Sequence, residues 1–321
     1  MAPVYTPETA MVDLSVTIGD VTLANPIMPG SGTFAEGIDR VIDLDLLGAL
    51  VSKTITPDVR EGNPQPRITE YRDAMLCSIG IPSKGPEHYV EQVVPFYQDF
   101  RPPLVCSISA ATAAAFGELA RQVSVDGVAV IEANISCPNL EQDGRAFAME
   151  EGPTEAAVAA IKAASDLPVW AKLTPNVGDI TLIARAAAAG GADALVVANA
   201  LLGMAIDTDR FRPKLGNLMG GLTGPATKPV ILRMVYQCAQ AVDLPIIGCG
   251  GIATCEDVIE YLLAGAAAVQ VGTASFRHPG TMPRLLQELP AWCERRGIAR
   301  ISDLTGAMVT DVTEPEREAA L

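Results

Sequence analysis

Cys137 stands in the run Asn134-Ile135-Ser136-Cys137-Pro138-Asn139. A free thiol titrates at about pH 8.5, so a cysteine in an electropositive setting serves as a proton acceptor or a nucleophile. Asn134 and Asn139 carry both donors and acceptors, the groups that hold an amide or a carboxylate. An isolated cysteine is more often a buried filler, but one flanked by two asparagines and followed by proline points to function. A second kind of chemistry resides in glycines. Gly248-Cys249-Gly250-Gly251-Ile252 and Val271-Gly272-Thr273 each follow an apolar run. Glycines there let backbone N–H groups approach an anion closely, so a phosphate-bearing ligand is expected. Two plain turns are the alternative for either motif alone. The run Gly220-Gly221-Leu222-Thr223-Gly224-Pro225 reads as a third glycine loop. Lys53 and Lys172 each end an apolar run. Lysine is rarely buried without a partner, so the pair suggests an anionic or electron-rich ligand, with solvated rim lysines as the alternative. The two histidines, His88 and His278, neighbour no other candidate base, which disfavours a histidine triad or a histidine-bound metal.

These residues need elements to hold them. Continuous apolar runs at 26–29, 49–54, 104–109, 129–135, 169–173, 194–198, 245–248 and 268–271 lack alternation. Strands covered on both faces look like this, and they belong to parallel sheets. Helical stretches at 86–94, 111–123, 154–164, 180–189, 228–241 and 255–264 separate them. The α/β class follows, and the count of eight favours a single-domain (β/α)8 TIM barrel over a doubly wound open sheet. Residues 16–23, with Gly19-Asp20 at the middle, read as an N-terminal β-hairpin under the barrel. Residues 56–84 contain proline and glycine with little periodicity and read as a long loop over the catalytic face. Residues 1–12 and 313–321 are expected to be flexible tails.

Of 321 residues, 49% are hydrophobic, and the net charge is −15, from 23 Lys and Arg against 38 Asp and Glu. That composition describes a globular chain with a large core. An acidic field with no basic run argues against nucleic acid. No secretory signal is read at the start, and no run is apolar enough to span a bilayer. The seven cysteines are scattered, with no C-x-x-C pair. Neither a disulfide framework nor a metal site is expected, and a reducing cytoplasm is the expected location.

Together the motifs resemble the dihydroorotate dehydrogenases that use FMN and a cysteine base. The resemblance runs from about residue 14 to about residue 310, and rests on 134–139 (NISCPN), 62–67 (GNPQPR), 172–176 (KLTPN), 220–225 (GGLTGP), Gly250-Gly251 and 271–273. The stretch Gln142-Asp143-Gly144-Arg145-Ala146-Phe147 is most similar to the catalytic subunit of the NAD-linked branch. The resemblance implies FMN across the barrel mouth. Gly250, Gly251, Gly272 and Thr273 would hold its phosphate, assisted by Gly224. Ser31, Thr54, Ser107, Asn134, Lys172 and Ala198 would line the ring and ribityl chain. Lys53 would face both flavin and substrate, where a cation stabilises the anionic reduced flavin. Cys137 would take a proton from the carbon beside a ring carbonyl, with hydride passing from the adjacent carbon to flavin N5. Asn134, Asn139 and Asn199 would bond the substrate, and residues 77–81 (Cys77, Ser78, Ile79, Gly80, Ile81) would cup it. Electrons would leave through a partner subunit carrying FAD and an iron–sulfur cluster, in a homodimer or heterotetramer. Two positions depart from the family pattern: Cys77 where asparagine is usual, and Ala200 where serine or threonine is usual. Each change removes a substrate hydrogen bond. Three functions therefore stay open: dihydroorotate oxidation in pyrimidine biosynthesis, oxidation of another dihydropyrimidine or cyclic amide, and a phosphate-ligand barrel without redox chemistry. A Cys77–Cys137 disulfide across the mouth is a further option.

Overall fold

The computed structural model describes residues 12–136 and 147–310. The chain opens with an antiparallel hairpin, β1 (Val16–Ile18) and β2 (Val21–Leu23). Its turn rests near the Asp193 carbonyl, just before a barrel strand begins, so the hairpin lies under the barrel as expected. Next come β3 (Ile27–Pro29), β4 (Leu50–Val51), β5 (Ile68–Glu70), β6 (Met75–Cys77), β7 (Leu104–Ile108) and β8 (Val130–Asn134). The chain continues through β9 (Val169–Lys172), β10 (Ala194–Val197), β11 (Leu201–Gly203), β12 (Ile206–Asp207), β13 (Arg212–Pro213), β14 (Gly220–Thr223), β15 (Ile246–Cys249) and β16 (Ala266–Val271).

Eight of these strands form one parallel sheet in the order β3-β16-β15-β10-β9-β8-β7-β4. Neighbours in space are therefore neighbours in sequence, without the reversal of an open doubly wound sheet. The Gly48 N–H donates to the Ile27 carbonyl at 2.8 Å and ties the second strand to the first. The fold is a (β/α)8 barrel. Its strands lack alternation because one face meets the helices and the other the packed interior. Ile131, Trp170, Leu195 and Val269 are wholly buried.

The helices are α1 (Gly85–His88), α2 (Val94–Gln98), α3 (Ala113–Val123), α4 (Glu151–Ala164), α5 (Ile180–Ala189), α6 (Lys228–Ala241), α7 (Cys255–Leu263), α8 (Ala274–Arg277) and α9 (Thr281–Glu294). Side chains cap several of them. Thr112 accepts from the Ala115 N–H before α3, and Thr254 and Asp257 form a reciprocal capping box at α7. The helix expected at 86–94 is interrupted by a π turn at Tyr89–Val93. Pro95 follows it, and a proline has no N–H to continue an α-helical ladder.

Two sequence expectations need correction. Residues 56–84 are not structureless, because they supply β5 and β6 to a separate antiparallel sheet of order β11-β14-β6-β5. Gly220–Thr223 is not a loop but β14, the strand between β11 and β6. Glycine is required there by space: a Cβ on Gly220 would stand 2.7 Å from the Cys77 carbonyl oxygen, and one on Gly221 would collide with Ala200. The expected tails lie outside the described residues, except Val12, which is buried. Among the described residues, no helix is long and apolar enough to cross a membrane.

Candidate active site

Side chains two apart on a strand share a face. On β8 this places Glu132 and Asn134 together, and β9 adds Lys172 beside them, with Asn134 in register with Lys172. Ser107 of β7 and Gln270 of β16 complete a polar patch in an otherwise apolar barrel. Lys172 is only 4% exposed and Glu132 is 0% exposed. The Lys172 Nζ stands 3.7 Å from Glu132 Oε1 and donates to Gln270 Oε1 at 2.8 Å and to Ser31 Oγ at 3.4 Å. Gln270 Nε2 in turn donates to Glu132 Oε2 at 2.6 Å. Burial alone would pull the Lys172 pKa down, but the Glu132 charge and the field of Cys249 outweigh it and hold the pKa above the ordinary value. Lys172 is thus no solvated rim lysine.

The network continues across the mouth. Ser107 donates to Glu132 Oε1 at 2.8 Å, Thr54 and Ser107 hydroxyls meet at 2.8 Å, and Asn134 Nδ2 donates to Thr54 Oγ1 at 3.2 Å. Ser107 has one proton and spends it on Glu132, so Thr54 is the donor in the Thr54–Ser107 bond. Asn134 Oδ1 accepts from Ser136 Oγ at 2.8 Å, and Asn199 Nδ2 donates to Ser136 Oγ at 2.7 Å. The Ala200 N–H donates to Asn199 Oδ1 at 2.8 Å. The structure therefore joins six of the sequence-identified residues: Ser31, Thr54, Ser107, Asn134, Lys172 and Asn199. Ala198 is adjacent, its N–H bonded to the Cys249 carbonyl at 3.0 Å. Lys53 is half-buried and outside this network. Burial draws its pKa down, with Glu36 opposing and Arg67 reinforcing that shift.

The glycines converge at the ends of the last strands. Gly251 adopts a left-handed φ of 71°, and a Cβ on it would stand 2.9 Å from the Gly224 carbonyl oxygen. A Cβ on Gly224 would lie 3.6 Å from Thr273 Cγ2. Among the described residues, no protein acceptor takes the N–H groups of Gly250, Gly251, Gly272 or Thr273. Free N–H groups gathered at glycines suit a phosphate. The nearby Lys228 ammonium is already engaged, by Asp257 at 2.6 Å and Glu260 at 2.8 Å.

Residues 77–81 meet the GNPQPR segment. Ser78 Oγ accepts from Asn63 Nδ2 at 2.7 Å and from Asn217 Nδ2 at 3.1 Å, and the Asn63 N–H donates to the Ile79 carbonyl at 2.9 Å. Gly80 and Ile81 both take positive φ, 80° and 47°. Burial raises the Cys77 thiol pKa, so it is protonated at neutral pH and no base. Cys137 and Asn139 lie outside the described residues. Sequence reasoning missed Glu132, Gln270 and Ser136. A Glu and a Gln inside apolar strands were the available signal, since such residues are buried only with partners.

A closed parallel barrel with a polar mouth, and with free glycine N–H groups after its last two strands, has the build of a (β/α)8 enzyme whose active face lies at the strand C-termini. The family model for dihydroorotate dehydrogenase matches residues 13–292. The chain belongs to the dihydroorotate dehydrogenase family. It is 45% identical over 298 residues to the dihydroorotate dehydrogenase B (NAD(+)) catalytic subunit of Trichlorobacter lovleyi, covering 92% of this chain and 98% of the relative. It is 44% identical over 299 residues to the subunit of the same name from Desulforamulus reducens, with coverage of 92% and 98%. A crystal structure of the Eimeria tenella DHODH in complex with ferulenol superposes with a TM-score of 0.76 at 22% identity, covering 92% of this chain and 88% of that one, and supports the fold.

Proposed function

We propose that this chain oxidises dihydroorotate to orotate, with FMN held across the barrel mouth, in the synthesis of pyrimidines. The observation that carries the reading is the meeting, on one barrel face, of a cradle of unpaired N–H groups with the Asn134–Ser136–Asn199 cluster. The cradle suits a phosphate ester, and the amides suit a cyclic imide with a carboxylate.

When bound, FMN supplies the acceptor for the substrate's hydride. The chain's own residues do the rest. Cys137, one residue beyond Ser136, takes the proton from the ring carbon beside a carbonyl. Asn134, Asn139 and Asn199 orient the ring, and Asn199 must exchange its internal bonds for substrate. Lys172 is held charged and directed by Glu132 and Gln270, and Lys53 offers a second cation at the rim. Gly250, Gly251, Gly272, Thr273 and Gly224 hold the phosphate, and residues 77–81 cover the substrate.

The relatives are named as catalytic subunits of an NAD(+) enzyme. We extend that to this chain: a partner subunit carrying FAD and an iron–sulfur cluster passes electrons to NAD, around a homodimer of this subunit. Among the described residues, no group of three or more His, Cys, Asp and Glu could hold a metal. A cytoplasmic location accords with the six free thiols described.

A second reading keeps the flavin and changes the substrate to another dihydropyrimidine. It is favoured by Ala200, whose methyl faces Gly221, and by Cys77, a weakly bonding thiol where asparagine would offer an amide. Anaerobic titration of the yellow protein separates the two. Dihydroorotate should bleach the flavin. Bleaching by dihydrouracil alone would overturn the first reading. NADH should bleach it only with the partner present.

A further inference from the structure

The free N–H groups of the cradle are useful only if something fixes their direction. The Gly250–Gly251 peptide is held from behind. The Tyr261 hydroxyl, from α7, donates to the Gly250 carbonyl oxygen at 2.6 Å. Its ring is wholly buried and fills the space a side chain on Gly248 would need. In a planar trans peptide the carbonyl and the following N–H point in opposite directions. Drawing the Gly250 oxygen toward α7 therefore turns the Gly251 N–H away from α7, and among the described residues that N–H has no protein acceptor. One turn earlier on α7, Asp257 Oδ2 accepts from the Ala253 and Thr254 N–H groups at 2.8 Å each, fixing the exit of the same loop.

We propose that Tyr261 is a positioning residue of the phosphate cradle, its hydroxyl aiming the Gly251 N–H at the ligand's phosphate. The proposal rests on the FMN reading above, since it needs a phosphate in the cradle. Tyr261 touches neither substrate nor reacting atoms. It acts through one peptide, so its effect is confined to ligands that carry the phosphate.

Tyr261→Phe keeps the ring and removes only the hydroxyl. The full-length protein, stripped of flavin, is titrated with FMN and separately with riboflavin, which lacks the phosphate. The variant should bind FMN about fivefold more weakly, the effect of one neutral hydrogen bond, with riboflavin affinity unchanged. The ratio of the two affinities is internal to one preparation, so partial loss of folded protein moves both flavins alike. Equal losses for both flavins, or an undiminished preference for FMN, would overturn the positioning role. A wild-type protein that does not prefer FMN to riboflavin would instead overturn the phosphate site itself, and this inference with it.

Discussion

Replacing Glu132 by Gln isolates the buried charge at the centre of the mouth. The substitution keeps the shape and leaves Lys172 as a cation among Gln270, Ser31 and apolar walls. At 3.7 Å, two unit charges in an effective dielectric of about 20 attract by about 4.5 kcal/mol. Breaking one side of a buried pair costs roughly 3–5 kcal/mol, because the remaining charge stays desolvated. The expected loss at pH 7 is therefore about 3–4 kcal/mol. Its pH dependence identifies the cause. In the wild type the Lys172 pKa is raised, so its contribution is fully present below the unfolded value of about 10.5 and is lost only above that. In the variant, burial without the carboxylate depresses the lysine pKa, so the penalty is largest at neutral pH and shrinks as pH rises toward about 10.5. Urea unfolding of both proteins at pH 7 and pH 10 measures the gap. A loss below about 1 kcal/mol, or a gap that does not narrow between the two pH values, would refute the account.

Cys137→Ser should slow reduction of the bound flavin by dihydroorotate at least a hundredfold, roughly the share that a positioned base supplies, while FMN affinity holds. Stopped-flow bleaching reads the first and flavin titration the second, and unaltered reduction kinetics remove Cys137 from the mechanism. Lys53→Ala should weaken substrate turnover about tenfold or more, as loss of a charged contact predicts, with an unchanged thermal midpoint. Loss of the fold in that variant would mark Lys53 as structural.

The barrel was legible because strands buried on both sides leave long apolar runs, and α5 and α6 coincide with the stretches read at 180–189 and 228–241. The small antiparallel sheet was not. Its strands β5 and β6 have three residues each, too short to display a period, and glycine in β14 mimics a turn. The cradle glycines were readable as types, but their meeting depends on a barrel closing. The Thr54–Ser107–Glu132–Gln270 chain joins residues far apart in sequence, and no local pattern reports such pairs. Glu132 and Gln270 themselves were exposed to reasoning as polar residues within apolar runs. The bond between Asn63 and Ser78 was not, since an asparagine in a proline-rich segment reads as turn chemistry.

The sheet built from β5, β6, β11 and β14 sews together two excursions of the chain, one after the second barrel strand and one after the sixth. The two meet at one seam, β6 against β14, so a change that shifts either of those strands disturbs both excursions. Anyone grafting a new specificity onto this scaffold must transplant both segments as a matched set; a single borrowed segment arrives as half a roof.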